Sequence, residues 1–583
     1  MKLLTALDVL KQRLPEGGPV REVFLACGFT PIHLQTFLAA HLQLYFPTER
    51  IEITTGVYGD LVGNLERLQP AATRLSALCV VIEWSDLDPR LGIRNLGGWD
   101  VSDIPDVLES LHQHSQRLCQ GIERFCGTVP ISISMPTLPI PPLFISPLHQ
   151  QHHHELQLRE AVASMAASLS RNQGIRIVSS QRLDELSPAL QRFDVKAEIL
   201  SGFPYSLDHA STLAELLAAT IRNAPPRKGL ITDLDGTLWS GILGEAGVDG
   251  ICWEMDGRAH IHGLYQQFLA SLASAGVLIA VASRNDEALV EQALSRKDML
   301  LKRDSLFPLE VHWGLKSESV RRILRTWNIG PDAVVFVDDS PMEVAEVHEA
   351  FPEMDCIVFP NNNYQAFWDL MRRLRNSFGK STVSIEDSIR LQSIRTVAAI
   401  GQSLQDAEGR ADEFLKNAEA SIVFSLGRDV HDSRALELIN KTNQFNLNGK
   451  RFSESDWIGY LNEPGAFVLT ANYEDKYGPL GKVSVLIGRD NGSLLTVDGW
   501  AMSCRAFSRR IEYQILRYLF DVFRFEEIIF EYRKTDRNGP LQGFFARLLQ
   551  RPPDSVVRIS NRCFSQRAPS LYHRVEDTLR HGA

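Results

Sequence analysis

The stretch Gly229-Leu-Ile-Thr-Asp-Leu-Asp-Gly-Thr-Leu-Trp239, GLITDLDGTLW, ends a short apolar run on two carboxylates, Asp233 and Asp235, one residue apart. An apolar run bounded in this way reads as a strand covered on both faces, its carboxyl end open to a ligand. Two like charges at a strand end repel each other unless a cation or a proton is shared, so the pair points to a divalent metal. Outward from this stretch come a helical pattern near Ile261 to Gly276, the run VLIAVAS ending at Ser283, a second helical pattern, and the run AVVFVDD ending at Asp338 and Asp339. Strand and helix alternate as in βαβ units on a parallel sheet, and the polar strand ends should converge on one site.

The residues brought there fit phosphate chemistry. Asp233, Asp235, Asp338 and Asp339 make an oxygen-rich metal site of the kind that suits Mg²⁺. Thr237 and Ser283 offer hydrogen bonds to phosphate oxygens, and Lys316 in HWGLKSES offers a positive charge for the developing negative one. Asp233 is placed to attack phosphorus, and Asp235 to protonate the leaving oxygen and later activate water. DLDGT alone also reads, less readily, as an Asx turn after a strand; the order Asp, Ser, Lys, Asp-Asp argues for the site. Between Asp235 and the helix near Ile261 there is room only for a flap, and between Ser283 and Lys316 for a helix and a short strand. A capless, open site is therefore expected, which suits a substrate carried on another protein, though capless sites also serve small molecules.

The 583-residue chain is too long for a single core, and its 44% hydrophobic and 23% charged residues are ordinary for a globular protein. A formal charge of −10 argues against a nucleic-acid surface. The eight cysteines form no CxxC pair, so a reduced, cytoplasmic protein without a disulfide framework is expected. MKLLTALDVLKQRLPEGG carries Asp8, Lys11 and Arg13 within its apolar pattern and reads as an amphipathic helix, not a signal peptide, and no run approaches a membrane span.

Residues 19–200 alternate apolar runs such as REVFLACG and LCVVIEW with helical patterns, giving a first α/β unit. Its proline-rich stretch Pro130–Pro147 is expected to cross the surface in extended form, and the histidines of residues 149–157 to begin a solvated helix. FLACGFTPIHL offers Cys27, Thr30 and His33 without a Gly-Asp-Ser nucleophile, so a non-catalytic or docking role is expected there. RNAPPRKG is rich in helix breakers and reads as a linker. After a polar helical stretch from Asp387 to Glu413, the runs ASIVFSL, GAFVLTANY, KVSVLIGR and SLLTVDGWAMS indicate a last, α+β unit.

DLDGTLW, VASRND, Lys316 and VVFVDDSP together resemble the four motifs of haloacid-dehalogenase-like (HAD) phosphotransferases. LDGTLWSGILGEAGVDGI, HWGLKSESVRRILRTWNIGPDAVVFVDDSP, NKTNQFNLNGKRFSESD and MSCR narrow the resemblance to FkbH-like proteins, subfamily IIIC, in which a HAD domain precedes an acetyltransferase-like (GNAT-type) domain. It runs from about Arg192 onward; the first two hundred residues loosely resemble a degenerate SGNH-hydrolase-like segment. The resemblance implies a multidomain α/β protein: an SGNH-like α/β domain over 1–200, a linker over 201–225, a capless Rossmann-like HAD domain over 226–380, a helical linker over 381–416 and an α+β GNAT-like domain over 417–583. It implies that glyceryl is taken from a phosphorylated three-carbon acid of the 1,3-bisphosphoglycerate type and delivered as a thioester to an acyl carrier protein for polyketide-type assembly. By this match Asp233 is the nucleophile, Asp235 the acid/base, Thr237, Ser283 and Lys316 the phosphate contacts and Asp338 a metal ligand with Asp339 beside it. Relatives often carry Asn where this chain has Gly236.

In TVDGWAMSCRAFSRRIE, Cys504 stands beside Arg505 at a strand-to-helix junction, where a cation and a helix N-terminus favour the thiolate. Cys504 is the candidate acyl-thioester carrier, with Cys252 near the flap as the other choice, and a buried structural cysteine as the plain reading. The segment from Arg505 to Arg510 lacks the small residues that let a backbone cradle a pyrophosphate, so a carrier-borne pantetheine arm in the cleft between parted strands is expected rather than coenzyme A. Asn443, Gln444, Asn446 and Asn448, around Phe445 and Leu447, offer amide hydrogen bonds to such an arm, or form a polar surface loop. The pairs Arg321-Arg322 and Arg509-Arg510 read as solvated helix faces or as a dock for an acidic carrier.

Overall fold

The fold is described from a computed structural model covering the chain apart from residues 12–17, 70–74, 97–98, 256–258, 385, 396–414, 477, 493, 504–505, 508, 536 and 578–583. Its backbone ladders form three sheets. The first holds β1 (Val20–Cys27), β2 (Arg50–Thr55), β3 (Ala77–Val81), β4 (Ile131–Ser134) and β5 (Ile175–Ile177) in the order β2-β1-β3-β4-β5, all parallel. Every residue of β3 and β4 is buried, because helices cover both faces. One face is filled by Leu34, Phe37, Leu213 and Leu217, and the other by Leu65, Val107, Leu111 and Leu158.

The proline-rich stretch does not lie wholly on the surface. Its first residues, Ile-Ser-Ile-Ser after Pro130, are the interior strand β4; a proline just ahead of the strand leaves every ladder donor in place, so the segment pairs normally. The stretch 201–225, expected as a linker, carries the helix Leu207–Arg222, whose Leu213, Leu217 and Ile221 belong to the same core. The histidine run does begin a helix, His153–Leu169, with the His152 side chain accepting from the His154 amide.

The second sheet holds β6 (Gly229–Thr232), β7 (Leu278–Ser283), β8 (Leu306–Val311), β9 (Val334–Asp338) and β10 (Asp355–Val358) in the order β10-β9-β6-β7-β8, again all parallel. The buried strands β6, β7 and β9 are the three apolar runs read from the sequence, and the short strand anticipated before Lys316 is β8. Helices His260–Ser274 and Tyr364–Phe378 pack one face through Tyr265, Leu269, Phe367 and Leu374; helix Lys316–Trp327 packs the other through Val320, Ile323 and Trp327. Among the described residues between Asp235 and His260 stand the helix Leu243–Ala246 and the isolated bridges Asp235–Trp239 and Ser240–Cys252, and so short a span leaves no room for a large cap.

The third sheet is mixed: β11 (Ser421–Gly427), β12 (Ala466–Asp475), β13 (Gly478–Asp490), β14 (Leu495–Met502), β15 (Glu527–Phe530), β16 (Val557–Ser560) and β17 (Arg574–Asp577), in the order β16-β15-β14-β13-β12-β11-β17. The β14/β15 and β11/β17 pairs are parallel and the others antiparallel. By packing, the chain divides into two compact units. One comprises Met1–Ala224, Arg428–Leu436 and Arg451–Pro464; the other comprises Pro225–Gly427, Glu437–Lys450 and Gly465–Ala583. No helix among the described residues is long and apolar enough to cross a membrane.

Candidate active site

Strand β6 is central in its sheet, and the ladder continues one step past its end: the Asp233 amide donates to the Val337 carbonyl at 2.9 Å. This places Asp233, buried, beside Asp338, the last residue of β9 and fully buried. Lys316, the first residue of its helix and also buried, lies between them. Its Nζ donates to Asp233 Oδ1 at 2.6 Å and Asp338 Oδ2 at 2.6 Å, and pairs with Glu343 Oε2 at 2.9 Å. A lysine at a helix N-terminus is disfavoured by the helix dipole and by desolvation, so it is the carboxylates that hold it there.

One lysine does not neutralise this many acids. Asp233, Asp338 and Asp339 each offer an oxygen within 4.8 Å of the others'. Burial pushes the Asp233 carboxyl above its ordinary range despite Lys316; burial and then the charge of Asp233 push Asp338 up to about 7; and burial and the charge of Asp338 raise Asp339. A hard divalent cation held by oxygen donors relieves this surplus, so the three carboxylates fit Mg²⁺ by number, spacing and chemistry.

The remaining first-motif residues are placed differently from one another. The Asp235 carboxylate is turned away from that acidic group: Oδ1 accepts from the Trp239 indole at 2.7 Å and the Leu243 amide at 3.1 Å, and Oδ2 from Asn285 Nδ2 at 2.9 Å. Gly236 has φ +68°, which favours glycine, and a Cβ there would lie 2.3 Å from Asp339 Oδ2, so a side chain at this position would displace that carboxylate. Thr237 is fully buried, and its Oγ1 has no hydrogen-bond partner. A buried hydroxyl left unpaired costs about 1–3 kcal/mol, and a phosphate oxygen would satisfy it. Ser283, at the end of β7, is buried as well.

Asn285, Glu343 and Asn361 belong to this site and are not evident from sequence patterning. Asn285 fixes Asp235, Glu343 completes the lysine's carboxylate set and is itself paired to Arg284 at 3.0 Å, and Asn361 Nδ2 donates to Asp339 Oδ2 at 3.1 Å. The signal for Asn285 was its position two residues past the strand-ending Ser283; for Glu343 it was the Ser-Pro-x-Glu helix start after Asp339.

In the third sheet, β14 and β15 pair only over Leu495–Val497 and Ile528–Phe530 and then part. The gap holds the chain's own residues 445–448. The Leu447 amide donates to Trp500 O at 2.9 Å, the Met502 amide to Phe445 O at 3.0 Å and the Arg533 amide to Leu447 O at 3.0 Å. Asn448 Nδ2 donates to Asp498 O at 2.9 Å and Glu531 O at 3.0 Å, one from each parted edge. Of the amides considered for an acyl arm, Asn443 and Gln444 are exposed, whereas Asn446 is buried and its side chain donates to Thr442 O and accepts from Gly449 N within its own loop. Cys504 and Arg505 lie outside the described residues.

A parallel five-stranded sheet in the order β10-β9-β6-β7-β8, with acids at the ends of β6 and β9 and Lys316 opening the helix after β8, is a Rossmann-like α/β fold. Among solved structures, the chain is similar to the N-terminal part of a Bacteroides fragilis protein containing a phosphatase domain complexed with Mg, with TM-score 0.50 and 19% identity over 66% of this chain and 100% of that one. That likeness is one of fold. A salicylyl-acyltransferase from a tetracycline biosynthetic pathway aligns with TM-score 0.19 and 15% identity over 36% of this chain and 55% of that one, too slight to bear on the reading. No protein-family model and no curated protein sequence matches the chain.

Proposed function

We propose that the chain is a Mg²⁺-dependent phosphohydrolase of the HAD type that acts on a phosphorylated three-carbon acid. The observation that carries this reading is the convergence of Asp233, Asp338, Asp339 and Lys316 at the carboxyl ends of β6 and β9, with the unpaired Thr237 hydroxyl in the turn that follows β6. The fold neighbour solved with Mg supports it. Asp233, Asp338 and Asp339 would hold the ion, which when bound screens the charge of the incoming phosphate. Asp233 then attacks phosphorus, the phosphate–oxygen bond to the leaving group breaks, and Asp235 gives that oxygen its proton. Water, deprotonated by Asp235, displaces the phosphate from Asp233 and returns the site to its starting state. Lys316 offsets charge on the transferring group, and Thr237 and Ser283 hold its oxygens. For these proton transfers Asp235 leaves its bonds to Trp239 and Asn285, which turn it from the other acids, and rotates toward the leaving oxygen.

The sequence motifs extend the reading to transfer of glyceryl to an acyl carrier protein in the cytoplasm. In that extension a thiolate, with Cys504 as the candidate, attacks the acyl-phosphate carbonyl of a 1,3-bisphosphoglycerate-type donor and expels phosphate. The remaining phosphomonoester is hydrolysed at Asp233, and the carrier's thiol takes the acyl group and frees Cys504. Arg505, Asn443, Gln444 and Asn446 are the candidate contacts for the acyl or pantetheine group; nucleic acid and membrane have no part. The filling of the β14/β15 gap by residues 445–448 favours a second reading, a small-molecule phosphatase whose last sheet is structural.

Intact-protein mass spectrometry after incubation with Mg²⁺ and 1,3-bisphosphoglycerate separates the two. A hydroxylamine-labile glyceryl adduct is expected on the wild type, absent from Cys504→Ala, and in Asp233→Asn the adduct should keep its phosphomonoester, since only the acyl phosphate is expelled there. Phosphate release without an adduct would leave the phosphatase alone, and hydrolysis of the phosphomonoester that survives Asp233→Asn would remove the site assignment.

A further inference from the structure

The turn from Asp233 to Trp239 carries both acids of the first motif and the Thr237 hydroxyl, and its own hydrogen bonds close on a single acceptor. The amides of Thr237, Leu238 and Trp239 all converge on the Leu234 carbonyl, at 3.1, 2.7 and 3.2 Å. Just ahead of Thr237 stands Gly236, at φ +68°, with no Cβ to restrict its torsions. The direction in which Thr237 points is therefore left to be set from outside the turn.

One helix supplies that restraint. His262 Nδ1 lies 2.9 Å from the Thr237 carbonyl oxygen, and Gln266 Nε2 donates to the Leu238 carbonyl at 2.9 Å. The two residues are one turn apart on the helix His260–Ser274, a spacing that puts both side chains on one face. A carbonyl only accepts, so Nδ1 of His262 carries the proton, and burial holds the ring below its ordinary range and neutral. The imidazole also stacks on Phe359, with centroids 5.3 Å apart and planes at 22°, and the Phe359 amide donates to the Asp338 carbonyl at 2.8 Å. It thus links the turn after β6 to a residue bonded to the end of β9. Gln266 is anchored at its other end, where Oε1 accepts from the Leu300 amide at 3.1 Å.

Packing alone does not call for these residue types. Both side chains are buried, on a helix whose Ile261, Tyr265 and Leu269 already supply its apolar contacts. A buried polar side chain costs free energy unless it is hydrogen-bonded, and an apolar one of similar volume would fill the space. What the polar pair adds is a partner, and so a fixed direction, for two successive peptide carbonyls. These are the peptides that lead from Thr237 to Trp239, whose indole donates to Asp235.

We propose, resting on the phosphohydrolase reading, that His262 and Gln266 are positioning residues of the phosphate site. They hold the backbone so that the Thr237 hydroxyl meets an oxygen of the transferring phosphoryl group, and neither gives or takes a proton. Steady-state phosphate release from 3-phosphoglycerate by the full chain with Mg²⁺, read beside the unfolding midpoint, tests this in a double-mutant cycle. His262→Leu is expected to lower kcat about 10- to 100-fold, the scale of a misplacement of about 1 Å. His262→Asn, whose amide nitrogen takes the place of Nδ1, should recover most of that loss. In a Thr237→Val background His262→Leu should cost less than about 3-fold, because the hydroxyl it serves is gone, whereas a merely structural role gives the same loss in both backgrounds. Gln266→Met, close in volume, replaces His262→Leu in the cycle if that variant does not fold. Equal losses with and without the Thr237 hydroxyl, no recovery in a folded His262→Asn, or full kcat in His262→Leu would each overturn the proposal while Asp233-dependent hydrolysis by the wild type stands. Hydrolysis that is absent from the wild type, or that survives Asp233→Asn, would overturn the phosphohydrolase reading itself, and the proposal with it.

Discussion

Thr237 shows what a single side chain contributes to this site before any ligand arrives. Its hydroxyl is buried and unpartnered, so Thr237→Val removes a polar group that the folded protein has already desolvated for no return. The expected outcome is an unfolding free energy within about 1 kcal/mol of wild type or higher, with kcat/KM for a phosphomonoester down about 10- to 100-fold. Loss of stability with unchanged kcat/KM, measured by denaturant titration and phosphate release, would make the hydroxyl structural. At this scale the sequence was most informative where a residue's role follows from its place at a strand end. Asp233, Asp338 and Asp339 were legible because an acid closing a fully apolar run has few other reasons to be there. Asn285 and Glu343 were not, because an Asn in a loop and a Glu in a first helical turn are ordinary, and only the fold shows that they face Asp235 and Lys316. The direction of the Asp235 carboxylate, toward Trp239, Leu243 and Asn285 and away from the other acids, was equally invisible, since spacing alone does not fix a rotamer.

Elements behave in the same graded way. The apolar runs of β6, β7 and β9 and of β11 to β14 declared themselves by composition, whereas β10, β15, β16 and β17 are four-residue strands that each carry a charged residue and so show no apolar run. β4 was hidden by its flanking prolines. Residues 445–448 were hidden most completely: an Asn-rich segment between two helices carries no strand signature, yet it completes the hydrogen bonding of the parted β14 and β15. Asn448 is the hinge of that arrangement, because one amide satisfies carbonyls on both edges. Asn448→Ala is expected to cost about 1–3 kcal/mol and to raise the hydrogen-exchange rates of the Leu447, Met502 and Arg533 amides, with those of β6 and β9 unaffected. Unchanged exchange at those three amides would show that the segment is held by its backbone alone.

At the scale of the whole molecule, three successive units were read from the sequence, whereas packing groups the chain into two, because compactness depends on contacts far apart in the chain. The unit built on the first sheet takes in Arg428–Leu436 and Arg451–Pro464. Within it Arg176 pairs with Glu454, and the helix Glu454–Asn462 brings Trp457 and Tyr460, both buried. A fragment of residues 1–224 is therefore expected to protect its β5 amides from hydrogen exchange less than the full chain does, the Arg176 contact and that apolar surface being lost. Equal protection would show the first sheet to be self-sufficient.

That composition also sets an order of events at the ribosome. Pro464 follows Ala224 by about 240 residues. At roughly 5–20 residues per second, the nascent first sheet waits roughly ten to fifty seconds for its last packing partners, while the Asp233 sheet is being synthesised in the interval. A translational pause placed after residue 224 would lengthen that exposure, and a chaperone that shields apolar surface would find its substrate there.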